Sequence, residues 1–236
     1  MLTPRRLEAR EFLDTPVQDS QELWQLLLEI RRANSRYGGV RLVLHHLAEF
    51  IPRIPHRPIT LLDVATAGAD IPRAVAEWAR REDLEIRITA IDLSGEILAL
   101  ARIGLASYPE ITLVRADALR LPFADRSFDI VINGLTLHHF TLVDGALVLR
   151  EIARVAREAF VVNDLVRSWA AYAGAWLDAH MLGRGRLVRH DAPISVLRSF
   201  TISELRQMAA LAGLNGIEVH RHPVFRAALV RPPGGA

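Results

Sequence analysis

The chain contains no cysteine. Disulfides, thiolate nucleophiles and cysteine-ligated metals are thereby excluded. It also contains no lysine: all 29 basic residues are arginine, which removes Schiff-base chemistry. Arginine holds its proton far above neutrality, so a pI near 9.6 accompanies a net charge of only +2. The arginines are scattered among acids, and no strongly basic partner-binding face is implied. No apolar run is long enough to span a membrane. The start, M-L-T-P-R-R-L-E-A-R-E-F, has no apolar stretch behind its arginines, so no secretory signal is expected and a cytosolic setting is the plain reading. Glycine is scarce at one telling place, L-L-D-V-A-T-A-G-A-D (61–70), where alanines stand around the single Gly68.

The 236 residues are about half apolar, ample for one full core with an extension. Residues 20–50 read as helix, with Leu23, Leu26, Leu27 and Ile30 at a 3.6 period and a break at Gly38 and Gly39. Three prolines within 51–58 predict a linker without regular structure. Residues 1–58 are therefore expected to be a helical N-terminal cap or extension, and 59–236 the main domain.

From Ile59 strands and helices alternate. I-T-L-L-D-V-A is a continuous apolar run, as a strand covered on both faces requires. Ile71–Arg81 is a helix with Pro72 in its first turn, and Ser94 caps another helix reaching about Ala106. Further strands are expected at 86–92, 111–115, 127–133 and 159–163, with a helix opened by Asp144 before the last. Val166–Leu182 reads as helix, and 183–193, with two glycines and a proline, as a loop. Thr201 and Glu204 form a capping box for a helix ending at Gly213. Strands at 216–222 and 225–230 are close enough for an antiparallel hairpin. The fold class is α/β, a mostly parallel doubly wound sheet with helices on both faces.

In such a sheet, ligands sit beyond the carboxyl ends of the strands. Asp63 lies near the end of the first strand, Asp92 ends the second and Asp117 follows the third. A carboxylate in the second position can accept both hydroxyls of a ribose. An acid after the third strand can meet the amino edge of an adenine. A dinucleotide fingerprint G-x-G-x-x-G fits worse, because Ala65, Ala67 and Asp70 occupy its glycine positions.

The segments L-L-D-V-A-T-A-G-A-D, I-T-A-I-D-L-S-G-E-I-L-A-L-A-R, R-A-D-A-L-R-L-P-F-A-D-R-S-F-D-I-V and N-G-L-T-L-H-H-F follow one another with spacing that resembles the class I S-adenosylmethionine-dependent methyltransferases, of the type acting on small molecules. The resemblance spans about 59–165. It implies a Rossmann-like seven-stranded sheet with an antiparallel last strand. It also implies that Ala65, Thr66, Ala67 and Gly68, with Asp63 beside them, wrap the methionine part of the cofactor. Asp92 would hold the ribose and Leu93 flank the adenine. Asp117 and Ala118 would meet the adenine edge, and Asn133 and Gly134 line the floor. His138 and His139 would sit near the transferring methyl group.

All three glycine positions of the family's Asp-x-Gly-x-Gly-x-Gly pattern hold alanine here. At Ala69 only close packing is at stake; at Ala67 a positive φ would cost about 1–2 kcal/mol, which Gly68 could absorb by moving the joint. A weakened but working cofactor site is expected. His190, next to Asp191 in R-H-D-A-P, is a further candidate base, although adjacent residues rarely face each other. Asn163 and Asp164 end a strand and suit an Asx turn. Arg31, Arg32, Arg36 and Arg41 read as a solvated helix face, and Trp169, Tyr172 and Trp176 as a core stripe. No metal cluster is read from the sequence. The expected activity is methyl transfer to an apolar or aromatic small molecule, O-methylation of a phenolic or polyketide-type secondary metabolite first and C-methylation next. The alternative is a non-catalytic or repurposed domain. A nucleic-acid substrate is not expected, because N-G-L-T follows the fourth strand where such enzymes carry an Asn/Asp-Pro-Pro-aromatic signature. Oligomeric state is not legible.

Overall fold

A computed structural model describes residues 3–14, 19–181 and 185–235. The elements are α1 (Ser20–Arg36), α2 (Gly39–Phe50), β1 (Ile59–Val64), α3 (Asp70–Arg81), β2 (Ile86–Asp92), α4 (Gly95–Ile103), β3 (Ile111–Arg115), β4 (Phe128–Gly134), α5 (Leu142–Val155), β5 (Ala156–Leu165), α6 (Trp169–Met181), α7 (Arg186–Arg198), α8 (Ile202–Leu211), β6 (Glu218–His222) and β7 (Arg226–Arg231). They build a seven-stranded sheet in the order β3-β2-β1-β4-β5-β7-β6. β7 runs antiparallel to both β5 and β6; the other pairs are parallel. The chain begins in the middle, winds out to β3, then returns to lay β4 on the other side of β1. That reversal opens a crevice at the carboxyl ends of β1 and β4.

The apolar runs explain the layering. Side chains alternate faces along a strand, so a strand buried on both sides must be apolar throughout. Leu61, Ile130, Ile132 and Val161 point to the layer holding α2 and α3, with Leu47, Phe50 and Val75. Leu62, Val131, Phe160 and Val162 point to the layer of α5 and α8, with Leu149 and Met208. Gly145 permits the contact between those two helices, because a Cβ there would lie 2.7 Å from Met208 Cε.

Several expectations need correction. The proline-rich linker contains a 3-10 turn, Ile51–Arg53, which Pro52 accommodates in its first turn. The helix before β5 is capped by Thr141, whose hydroxyl accepts from the Asp144 N–H at 3.1 Å; Asp144 sits inside the first turn. β5 extends at both ends because it pairs with β4 on one side and β7 on the other. The expected 183–193 loop is helical from Arg186, with Pro193 inside α7; Leu182, Gly183 and Arg184 lie outside the described residues. The aromatic stripe of α6 is no core stripe. Trp169 and Trp176 are 57% and 45% exposed, which places them on the outer face. The capping box of α8 and the closing hairpin stand as expected.

Candidate functional site

Three alanines shape the loop after β1. Ala65, Ala67 and Ala69 all adopt left-handed backbone, with φ of 58°, 48° and 55°. The strain therefore falls on alanine at every family glycine position, Ala69 included. Gly68 does not take the positive φ and relieves nothing. Hydrogen bonds hold the loop instead. The Thr66 N–H donates to Ile91 O at 2.7 Å, the Ala69 N–H to Thr66 O at 2.9 Å, and the Ala67 N–H to Asp92 Oδ2 at 3.0 Å. Left-handed alanine costs about 1–2 kcal/mol. Ala67→Gly is expected to recover about 1 kcal/mol after the extra entropy of the unfolded glycine is subtracted. That would raise the thermal midpoint by roughly 2–4 °C, read by calorimetry.

Helix α1 lies over this loop. Leu23 and Leu27 pack with Ile97, Ala67 and Leu100, and Leu27 stands 3.5 Å from where a Cβ on Gly68 would be. A buried polar net anchors it. Asn34 Nδ2 donates to Asp70 at 3.1 Å, and Arg226 donates to Asn34 Oδ1 and Asn163 Oδ1, each at 3.2 Å. Burial lowers the Arg226 pKa to about 10. Arg31, Arg32, Arg36 and Arg41 are exposed, as a solvated face requires.

The strand-tip acids are present. Asp63 is buried and its pKa is pushed up to about 8, by burial first and then by the charges of Asp70 and Asp92. Burial likewise raises Asp70 and Asp92. Asp92 accepts from Ala67 N and, through Oδ1, from Ser94 N at 3.0 Å; it thus caps the turn into α4 as well as pinning the loop. Asp117 is exposed and accepts from Leu119 N at 2.9 Å. Ala118 is buried beside it, and Leu93 is 61% exposed at the rim. Asn133 Nδ2 donates to Val64 O at 2.8 Å, tying β4 to β1. A Cβ on Gly134 would stand 3.0 Å from Ile71 Cδ1, so the packing at this strand end is tight. Among the described residues, Thr66 Oγ1, Asn133 Oδ1 and Asn163 Nδ2 are buried without hydrogen-bond partners. Such atoms cost free energy until a ligand or water meets them. Their place around the β1–β4 crevice, beside the acids Asp63, Asp70 and Asp92, suits a polar ligand.

Beyond β4, Leu137–His139 form a 3-10 turn that carries both histidines. His138 is buried. Its Nδ1 lies 2.7 Å from Asp164 Oδ1, and its N–H donates to Asp164 Oδ2 at 3.0 Å. A carboxylate only accepts, so Nδ1 carries the proton and Nε2 keeps a lone pair. Burial opposes the imidazolium, but the Asp164 charge and hydrogen bond outweigh it and raise the His138 pKa. Asp164 is correspondingly lowered against its own burial. His139 is partly exposed, its ring 4.3 Å from that of His138.

The N-terminal segment completes the site, which the sequence did not foretell. The Leu7 N–H bonds Leu197 O at 3.1 Å, and Arg6 donates to the carbonyls of Arg198, His138 and Phe140 at 2.6, 3.1 and 2.7 Å. Glu11 then lies 3.7 Å from His138 Nε2 and 4.0 Å from His139 Nε2, while Asp14 bonds His139 Nδ1 at 2.6 Å. Arg198 pairs with Asp14 and lies 3.4 Å from Glu11. Burial alone would raise Asp14, but His139, the Glu11 N–H and Arg198 hold it below the ordinary range. Glu11, His138 and His139 are grouped closely enough to hold a metal ion, yet the Arg198 guanidinium already supplies the cation there. His190 does face its neighbour, with Nδ1 2.7 Å from Asp191. It lies on the outer side of α7 against Phe12, at 4.6 Å between ring centres, and makes no bond to His138. Asp191 faces inward and accepts from the Phe12 N–H at 3.0 Å.

Residues 62–159 match the family described as "Methyltransferase domain". That segment, under half of the chain, is similar to a methyltransferase domain and carries the alanine loop and the strand-tip acids. The ubiquinone/menaquinone biosynthesis C-methyltransferase UbiE of Rickettsia akari is 32% identical over 124 residues, 50% of this chain and 46% of that protein. The demethylmenaquinone methyltransferase of Bacillus licheniformis is 37% identical over 98 residues, 42% and 40% of the two chains. The match thus spans less than half the length of these relatives. Among solved structures, human N-acetylserotonin methyltransferase in complex with S-adenosylmethionine superposes with a TM-score of 0.64 at 14% identity, covering 94% of this chain and 61% of that one. A methyltransferase from Aquifex aeolicus gives 0.60 at 14% identity, covering 91% and 98%. These likenesses bear on the fold. The unpartnered polar atoms and the acids at the tips fit the methyltransferase cofactor. Thr66 and Asn133 would meet its amino-acid part and Asp92 its ribose, while the bound sulfonium supplies an electrophilic methyl group. No helix among the described residues is long and apolar enough to cross a membrane.

Proposed function

We propose that this chain transfers the methyl group of S-adenosylmethionine to a hydroxyl on an aromatic small molecule, with His138 as the base. The observation that carries this reading is the His138–Asp164 pair at the carboxyl ends of β4 and β5, its Nε2 turned away from the carboxylate. A phenol has a pKa of about 10 and an imidazole about 6.5, so an oriented histidine raised toward the phenol is the better acceptor of its proton. The O–H proton passes to Nε2, and the oxygen attacks the methyl carbon. The carbon–sulfur bond breaks with its electron pair on sulfur, leaving S-adenosylhomocysteine. Holding the two reactants in line supplies about 7–11 kcal/mol of the barrier. Asp164 stabilises the imidazolium that forms.

Access to Nε2 runs past Glu11, so an acceptor displaces that side chain as the neighbour of the base. The described N-terminal segment, α1 and the α6–α7 pair stand in the position of a lid. Residues 1–58 would then act as a cap on a domain of 59–236. C-methylation of a hydroxylated ring is the second reading, favoured by the relatives named as quinone-biosynthesis C-methyltransferases. The same base would deprotonate a ring hydroxyl, the adjacent carbon would attack the methyl carbon, and loss of that ring carbon's proton to solvent, with protonation of the oxygen, would restore the aromatic ring. Incubation with 13C-methyl-labelled cofactor and a panel of phenols and quinols distinguishes these by the chemical shift of the new methyl group. Binding of S-adenosylhomocysteine with no labelled product across the panel would overturn the catalytic reading in favour of a repurposed domain.

A further inference from the structure

A second group of titratable side chains lies away from the crevice, where α2 meets the edge strand β6. β6 is the second strand beyond β5, so this seam is separate from the His138 site. His45, His46 and Glu49 occupy consecutive turns of α2, and His220 and His222 are two residues apart on β6. The His46 ring lies 5.2 Å from that of His45, 5.6 Å from that of His222 and 6.0 Å from that of His220, centre to centre. One ligand atom from each of His45, His46 and Glu49 lies within 4.8 Å of the others.

His46 decides what such a group is for. It is only 5% exposed, and among the described residues neither ring nitrogen has a hydrogen-bond partner. A core histidine ordinarily satisfies at least one nitrogen, since each orphaned polar atom costs about 1–3 kcal/mol. Here the surroundings offer imidazoles and a carboxylate in place of a backbone partner. Nε2 of His222 is likewise buried and unpartnered. His220 is differently employed, with Nε2 2.7 Å from Glu218. Two imidazoles and a carboxylate whose ligand atoms lie this close, with the unpartnered His222 ring beside them, have a shared partner in a divalent transition-metal ion.

We propose that the α2–β6 seam binds one divalent ion of the zinc type, ligated by His45, His46 and Glu49 and closed by His222 from β6. Ligand atoms around tetrahedral zinc stand roughly 3.4 Å apart, as bonds of about 2.1 Å require. His45 and Glu49 are exposed and free to swing that distance, while His46 is fixed by burial. The ion ties α2 to the edge strand β6, a structural role independent of methyl transfer.

The test uses the whole 236-residue chain stripped with chelator, then titrated with Zn(II) by calorimetry and with Co(II) by visible absorption. One equivalent is expected to bind, Co(II) to give the intense bands of a tetrahedral site, and the melting temperature to rise. Glu49→Gln and His45→Asn change exposed residues and leave the fold intact, yet each is expected to weaken Zn(II) binding at least ~10-fold, the scale on which ligand-shell changes act. His222→Asn should abolish the tetrahedral Co(II) spectrum. The proposal is overturned if no ion binds, if several bind weakly and Glu49→Gln changes nothing, or if His139→Ala removes the binding that Glu49→Gln spares.

Discussion

Asp164→Asn is expected to lower the turnover of methyl transfer by ~10²–10⁴-fold, the range that general-base catalysis and its orienting partner supply, while S-adenosylhomocysteine binding stays unchanged. Asp164 uses both oxygens on His138, one on the ring and one on the backbone N–H, and Oδ1 also accepts from the Leu165 N–H. An asparagine retains one acceptor oxygen and presents an NH2 to the other donors. Either the ring turns or its proton moves to Nε2, and both outcomes remove the base. The fold should survive, since the neutral ring left behind carries no buried unpaired charge. A single-turnover assay with saturating cofactor reads the loss directly.

The pH dependence separates this role from simple packing. The base acts when His138 is neutral, and the pair raises its pKa above 6.5, so the rising limb of kcat/KM should lie above that value. In Asp164→Asn the limb should move down toward or below 6.5. A purely structural Asp164 would lower the rate without moving it. Stability follows a different window. The raised His138 contributes fully below 6.5 and loses its contribution as pH climbs through its folded value. The lowered Asp164 contributes fully above 3.8 and loses its contribution as pH falls through its folded value. The pair is therefore most stabilising between those limits, as chemical denaturation at several pH values would show.

What the chain revealed in advance was its periodic part. The continuous apolar runs at Leu61 and Val161 could only be strands covered on both sides, and strands in that rhythm place Asp63, Asp92 and His138 at one end of a sheet. The acids were legible because position in such a sheet fixes which residues face the crevice. Asp164 was visible only as a strand-end residue. Its pairing with His138 depends on β4 and β5 being neighbours, a fact of topology that local pattern does not contain. Glu11, Asp14 and Arg198 left no signal at all. They come together because residues 3–14 run across α7 as extended chain ending in the short 3-10 turn Phe12–Asp14, held by Arg6 on three carbonyls. Helix α7 was hidden by the glycines just before it and by Pro193, whose intrinsic preference is overridden by packing against α6. The alanine loop was misjudged at Ala69 and Gly68 because propensity assigns left-handed backbone to glycine, whereas here hydrogen bonds from both sides impose it on alanine.

That imposition yields the second large effect. Asp92→Asn is expected to weaken S-adenosylhomocysteine binding ~10–100-fold, the ~1.5–3 kcal/mol carried by a hydrogen bond to a charged group. Two mechanisms contribute. On the proposed function Asp92 accepts from the ribose, and in the structure it accepts from Ala67 N at 3.0 Å, holding φ at 48° against alanine's preference. Asparagine weakens both. The contributions separate in a double-mutant cycle with Ala67→Gly. A glycine needs no anchor to hold a positive φ, so Ala67→Gly should restore part of the affinity that Asp92→Asn removes. If Asp92 served the ribose alone, the two changes would be additive and the glycine would rescue nothing. If Asp92→Asn bound the cofactor product normally, both roles would fall together. Calorimetric titration of the four proteins gives the coupling energy, and a positive coupling would show that one carboxylate now does the work that glycine does elsewhere in the family pattern.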